Sequence, residues 1–268
     1  MKKIGAKKKK WWIDLATNDL SDVTGFILRE FPYKETSKIL EVFTREYGKI
    51  SVIAKGINGK NKSSATSRRF AKANFNLYKS GKDFYGLKEI SLINAYSKSN
   101  KNFDVILYKS AMADLLLRTI DQTQIDVVYR LLDNSFLAFE NARENQLNIF
   151  LAFLLKYISF SGFKPNLSTC GVCGKKINNE DLYFSNSQAS LICSDDKYQI
   201  YDKIFLTKEE FVYLKKLLYT NSEELSSVNL VKSVDKMTKL IIDYTLDKLE
   251  IARFSSIDWV YKKAFERN

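Results

Sequence analysis

Residues 24–56 run TGFILREFPYKETSKILEVFTREYGKISVIAKG, and apolar and polar residues alternate along them. That is the period of a strand with one buried face. Phe26 and Leu28 fall on one side, Ile27 and Arg29 on the other. Ile39, Leu40, Val42 and Phe43 predict a second strand. Ile50, Val52, Ile53 and Ala54 predict a third, with Gly48 at the tight turn before it. Arg29, Lys34, Lys38, Arg45, Lys49 and Lys55 are spread through the same stretch. A small curved sheet carrying so many cations predicts a phosphate-binding surface.

On the carboxyl side, residues 57–69 (INGKNKSSATSRR) are polar, rich in Gly, Ser and Asn, and carry Lys60, Lys62, Arg68 and Arg69. They predict an exposed loop. Alternation resumes over residues 73–78 and 84–96, which brings the count to about five strands with a long connection after the third. A five-stranded Greek-key barrel of the OB type has this strand number and presents its sheet face and loops to oligonucleotides. SH3-like barrels share the number, so the count alone does not select between them.

Charge separates this part from the rest. Residues 1–100 hold 21 Lys and Arg against 9 Asp and Glu, a net of +12, whereas residues 101–268 hold 22 of each. The whole formal excess therefore lies in the first part, which predicts a polyanionic partner for that part alone. Ahead of a barrel domain at 23–100, residues 1–22 form a basic extension in which Lys7, Lys8, Lys9 and Lys10 precede Trp11 and Trp12. It is expected first as a poorly ordered tail; contact with nucleic acid or with a membrane interface is the alternative.

Several chemistries are excluded. The chain has no histidine, which removes Ser-His-Asp and Cys-His nucleophiles and every histidine-containing metal site. It has no phosphate-binding P-loop and no dinucleotide fingerprint. No pair stands out among the 31 acidic residues, so a binding module is expected rather than an enzyme. No apolar run approaches the roughly 20 residues that span a bilayer, and no signal-peptide core follows the first lysines. The expected location is the cytoplasm, with no membrane partner.

From residue 101 the spacing turns helical, and a helical domain is predicted over 101–268. Leu147, Leu151, Leu154 and Ile158 form a stripe widened by Phe150 and Phe153, ended by Gly162 and Pro165. Thr207-Lys208-Glu209-Glu210 has the capping-box form. Leu230, Val234, Met237, Ile241 and Tyr244 predict a further stripe. Within this domain, residues 166–200 form a cysteine segment. Cys170-Gly171-Val172-Cys173-Gly174 is one half of a zinc knuckle, and Cys193-Ser194-Asp195-Asp196 supplies a third thiol and a carboxylate at the fourth position. Carboxylate is a harder ligand for zinc than thiolate. The segment has few large apolar residues, so one structural zinc on Cys170, Cys173, Cys193 and Asp196 is expected to pin it to the bundle.

The order of these parts is similar to that of the RecO family of bacterial recombination mediators and DNA-repair proteins. The resemblance is carried by residues 24–56, by FLLKYISFSGFKPNLSTCGVCG, by LYFS ahead of LIC, and by ARFSSIDWVYK near the end. It extends from about Thr24 to Lys262. It implies an α+β chain: an amino-terminal OB-fold β-barrel, then an α-helical bundle with a zinc-knuckle-like insertion. It implies a non-enzymatic, nucleoid-associated protein of the RecFOR pathway that binds single- and double-stranded DNA, anneals complementary strands and works with RecR. It also implies contact with the acidic tail of single-strand-binding protein and help in loading recombinase. Lys215 and Lys216 beside Leu214 and Leu217 are the expected rim of a groove for that tail. Two positions depart from the family pattern: Ala189-Ser190 replaces a Gly pair, and Asp196 replaces a fourth Cys. A protein-interaction scaffold with only incidental DNA binding is the alternative, and salt-dependent DNA affinity separates the two. A carboxylate-and-metal nuclease would be exposed by magnesium-dependent cleavage.

Overall fold

The computed structural model describes residues 19–57, 67–178 and 181–265. Five strands close into a barrel: β1 (Asp19–Tyr33), β2 (Ser37–Thr44), β3 (Gly48–Ala54), β4 (Lys72–Lys79) and β5 (Phe84–Asn94). Their order around the barrel is β1-β2-β3-β5-β4, and β3 and β5 pair in parallel. This is the Greek-key closure of an OB-fold. β1 begins at Asp19 rather than after residue 22, because Asp19 and Leu20 pair with Tyr78 and Leu77 of β4. Residues 1–18, with their lysines and Trp11 and Trp12, lie outside the described residues, as do Lys60 and Lys62.

β1 serves two cores. Ile27 fills the barrel with Val23, Leu40, Val42, Ile50, Val52, Phe75 and Leu77. Phe26, Leu28 and Phe43 instead join the core shared with the helices. The pairing of β1 with β2 shifts register between Ile27 and Arg29. Such a bulge inserts one residue and re-aims the side chain that follows. Arg29 therefore does not share the face of Ile27, as simple alternation predicts; it turns to the helical side and meets Asp114. Gly86 of β5 marks the tightest approach in the barrel, since a Cβ there would lie 2.1 Å from the Tyr78 ring.

The second half holds α1 (Phe103–Thr119), α2 (Ile125–Asn141), α3 (Gln146–Ile158), α4 (Lys208–Tyr219), α5 (Val234–Lys248) and α6 (Ser255–Phe265). α3 is the hub. With the turn that follows, it is long and apolar enough to cross a membrane by composition, yet 61% of that window is buried in the fold. It packs against α1, α2, α4 and α5, the setting of a core helix. It ends in a π-turn, Ser159–Phe163, with Gly162 at φ 93°. The capping box on α4 forms as expected: Thr207 accepts from the Glu210 N–H, and the Glu210 carboxylate accepts from the Thr207 N–H. Leu230 lies ahead of α5 and is exposed, so it is not part of that helix's stripe.

The cysteine segment holds more structure than its motif predicts. β6 (Asn166–Cys170), β7 (Leu182–Ser185), β8 (Ser190–Ile192) and β9 (Lys203–Leu206) form a sheet in the order β6-β8-β7-β9. Leu167, Ile177, Leu182, Phe184, Leu191 and Ile192 are all buried in the main core. Phe184 meets Tyr244 of α5 edge-on at 5.3 Å. The segment is therefore attached to the bundle by apolar packing of its own, contrary to the expectation that a metal alone would pin it.

Barrel and bundle share a seam of rings. Phe26 lies 5.1 Å from Tyr129 and 5.6 Å from Phe136, and Tyr96 lies 5.4 Å from Phe136. Such pairs add about 0.5–1.5 kcal/mol each beyond the area they bury.

Candidate nucleic-acid interface and metal centre

The ten cations expected at a phosphate surface divide by position. At the end where β2 turns into β3, Arg45 pairs with Asp126 at 2.8 Å and Lys49 donates to the Leu117 carbonyl at 3.0 Å. Both partners belong to the helical half, so these two side chains fasten the barrel to it. In the seam, Asp114 of α1 takes Arg29 at 2.7 Å and Arg69 at 3.4 Å, and also accepts from Ser256 of α6 at 2.7 Å. Burial lowers the Arg69 guanidinium from its ordinary value, and the neighbouring Asp114 acts against that shift. Arg69 also donates to the Leu28 carbonyl.

Lys34, Lys55 and Arg68 are exposed, and Lys38 is half-buried against Glu30 at 2.7 Å. Lys38 pairs across the sheet with Ala54. That register places the β1–β2 hairpin, the exit of β3 and the return of the following loop at one end of the barrel. Lys38, Arg68 and Arg69 line a recess of about 440 Å³ there, together with Glu30, Phe70, Asn100 and Ile106.

Two aromatics complete this end, and sequence reasoning did not single them out. Phe31 and Tyr33 are 38% and 37% exposed. Two positions apart on one strand, they share a face. The Arg29 guanidinium sits over Phe31 at 5.7 Å and the Lys34 ammonium over Tyr33 at 5.4 Å. Exposed rings interleaved with cations are what a single strand needs, stacking for bases and charge for phosphates. The available signal was their i, i+2 spacing at the end of a strand, flanking Pro32 and next to a turn.

The cysteine segment brings its four predicted ligands together. The ligand atoms of Cys170, Cys173, Cys193 and Asp196 all lie within 4.8 Å of one another. Cys173 Sγ and Cys193 Sγ are 3.8 Å apart. Asp196 Oδ2 is 3.2 Å from Cys170 Sγ and 3.1 Å from Cys193 Sγ. Two thiolates on one tetrahedral zinc with bonds of about 2.3 Å stand about 3.8 Å apart, so the donor set fits the ion in number, kind and spacing. Local backbone builds it: Gly174, at φ +72°, donates to the Cys170 carbonyl and closes the knuckle turn. Burial pushes the Cys170 thiol up, but N–H donors from Cys193, Cys173 and Val172 outweigh it and leave the thiol below its ordinary value. Cys193 is pushed up to about 12, by burial first and then by the Asp196 carboxylate. Hydrogen bonds from the three thiols hold Asp196 below the usual carboxylate range.

The expected groove beside Lys215 and Lys216 is absent. Leu214 and Leu217 are 1% and 0% exposed, so they belong to the core and leave no apolar floor there. A recess of about 460 Å³ lies elsewhere on the helical half, lined by Val127, Arg130, Leu131, Asn134, Lys156, Phe160, Asn221, Ser222 and Glu223. Phe160 on the π-turn is exposed, and burial lowers the Lys156 ammonium from its ordinary value.

Comparison with known proteins bears on both halves. Residues 20–96 match the family described as Recombination protein O N terminal, and residues 100–253 match Recombination protein O C terminal. A "DNA repair protein RecO" of Caldanaerobacter subterraneus subsp. tengcongensis is 29% identical over 241 residues, covering 88% of this chain and 95% of that protein. One of Thermoanaerobacter sp. is 28% identical, covering 84% and 91%, and one of Mycoplasma mycoides subsp. mycoides SC is 27% identical, covering 83% and 90%. With both family regions matched in order over the barrel and over the helical half, the chain belongs to the recombination protein O family.

Proposed function

We propose that the chain acts in DNA repair and recombination as a non-enzymatic mediator: it binds single- and double-stranded DNA on the open end of the barrel, anneals complementary strands and helps load recombinase. The observation that carries this reading is the coincidence of Phe31 and Tyr33 with Lys34, Lys38, Lys55 and Arg68 on one exposed end. Cations neutralise phosphates and release counterions, and the two rings stack on bases. Two strands neutralised in this way repel each other less and pair faster, with no nucleotide hydrolysis. Arg29, Arg45, Lys49 and Arg69 belong to the seam in this reading and set the pose of the barrel. Lys60 and Lys62, outside the described residues, are assigned to phosphate binding from the sequence alone.

The helical half offers a place for the acidic tail of single-strand-binding protein. Val127, Leu131 and Phe160 supply an apolar floor, and Arg130 and Lys156 supply cations for carboxylates. RecR is the other protein partner, and the cytoplasmic nucleoid is the site of action. Cys170, Cys173, Cys193 and Asp196 would hold one structural zinc. Four protein ligands leave no open position for activating water.

The test is annealing of complementary strands coated with single-strand-binding protein, in the absence of nucleotide. Accelerated pairing without strand cleavage in magnesium supports the proposal. Coated strands that pair no faster than without the protein overturn it, and magnesium-dependent cleavage overturns its non-enzymatic part.

A further inference from the structure

Lys109 of α1 is fully buried, at 0% exposure. Among the described residues, no carboxylate bonds to it directly. Its ammonium donates to Ser99 Oγ at 2.7 Å and to Asn100 Oδ1 at 2.9 Å, both in the segment that joins barrel to bundle. Three rings surround it: Phe136 at 5.0 Å, Tyr96 at 5.4 Å and Phe70 at 5.9 Å. The compensation for burying this charge is an aromatic box, in which desolvation strengthens each cation–π contact. Glu140 of α2 stands behind Ser99, accepting from its hydroxyl at 2.7 Å and from its N–H at 3.0 Å.

One wall of the box is not an ordinary core residue. Phe70 has φ +72°, a left-handed backbone that a bulky residue adopts only where its surroundings over-determine it. Phe70 ends the long loop between β3 and β4. Arg69 and Arg68 immediately precede it, and Arg69 lies over its ring at 4.7 Å. Phe70, Arg68 and Asn100 also line the recess at the open end of the barrel. The ring that faces the buried ammonium therefore belongs to the residue that fixes where the loop's last cations stand.

We propose that Lys109 is a positioning residue for DNA binding: its buried ammonium holds Phe70, and through Phe70 it sets Arg68 against the phosphate backbone. The inference rests on the barrel-end reading of DNA binding and adds a dependence on protonation to it. Burial lowers the Lys109 ammonium to about 7, with the Glu140 charge acting against the shift. Other charged and titratable groups near the box are Asp133 of α2, Tyr96 and Lys98 of the connecting segment, Arg68 and Arg69 of the loop, Lys72 of β4, Asp114 of α1, and Glu30 of β1, which is paired with Lys38 of β2. Asp133 is taken by Tyr96 and Lys72, and Asp114 by Arg29 and Arg69. The chain has no histidine, the residue that ordinarily titrates between pH 5 and 8.

The experiment is fluorescence anisotropy of the full chain with a labelled oligothymidylate at pH 6, 7 and 8 and fixed ionic strength. Wild-type affinity should weaken from pH 6 to pH 8 by roughly threefold to tenfold, the scale of one buried cation–π contact. Lys109→Met should flatten that profile, and Arg68→Ala should weaken binding and flatten it as well. Parallel profiles for wild type and Lys109→Met overturn the inference while leaving DNA binding intact. Absence of binding at every pH overturns the barrel-end reading and this inference with it. Should Lys109→Met fail to fold, tryptic cleavage after Arg68 in the wild type, relative to a free peptide of the same sequence, should rise through pH 7; a constant ratio refutes the proposal.

Discussion

Replacing Lys34, Lys55 and Arg68 together by Ala removes three exposed cations from the open end of the barrel without touching any ion pair that joins the two halves. Each phosphate neutralised on a single strand contributes about −0.7 to the slope of log affinity against log salt. Three lost contacts therefore flatten the slope by about 2. Raising salt from about 50 to 200 mM should then weaken the variant roughly twentyfold less than the wild type. Arg45→Ala is the control. It leaves Asp126 without its partner across the seam, so it should lower thermal stability by up to about 1 kcal/mol, the ordinary worth of an exposed pair, and keep the slope. Anisotropy titrations at several salt concentrations, with melting curves alongside, decide it. An unchanged slope in the triple variant, or a slope change of similar size in Arg45→Ala, would refute the division of cations drawn from the structure.

Protein purified without chelator should carry one zinc per chain by elemental analysis. Cys173→Ser should lose the metal and melt earlier while the sheet stays folded, because Phe184, Leu191 and Ile192 remain in the core. Asp196→Cys should hold zinc more tightly in a chelator competition, thiolate being the softer ligand. The unfolded chain binds more protons than the native one between about pH 7 and the ordinary lysine value, because burial lowers Lys109; that group's contribution makes stability rise with pH across this window by up to about 1.4 kcal/mol per unit. Lys109→Met removes this contribution, so its denaturation midpoint should gain on the wild type at pH 7 and lose that advantage by pH 10; a constant difference would exclude Lys109 as the source. In calorimetry, Arg130→Ala with Lys156→Ala should abolish the heat of binding of the terminal peptide of single-strand-binding protein, and Lys215→Ala with Lys216→Ala should not.

Period 2 made the strands of residues 24–56 legible: β3 buries one face, and β1 and β2 send alternate residues to two different cores. It failed at Arg29, where a bulge adds one residue and re-aims the side chain. The cysteine cluster was legible from spacing alone, since C-x-x-C and C-x-x-D each bring two ligands to one turn. The sheet β6–β9 was not, because strands of three to five residues are too short to display a period. Which cations are free was also out of reach. Arg29 and Arg45 find their carboxylates 85 and 81 residues away, and no local pattern carries that information. Lys109 is the extreme case: a lysine on a helix reads as a solvated position, and only the meeting of loop, connecting segment and α2 makes it a buried one.

A bound single strand is expected to lie across the open end of the barrel, over Phe31 and Tyr33. Ultraviolet cross-linking of the full chain to a single strand, followed by peptide mass mapping, tests it directly. Adducts should concentrate on the peptide that carries Phe31 and Tyr33. Adducts confined to the helical half, with that peptide unmodified, would contradict it.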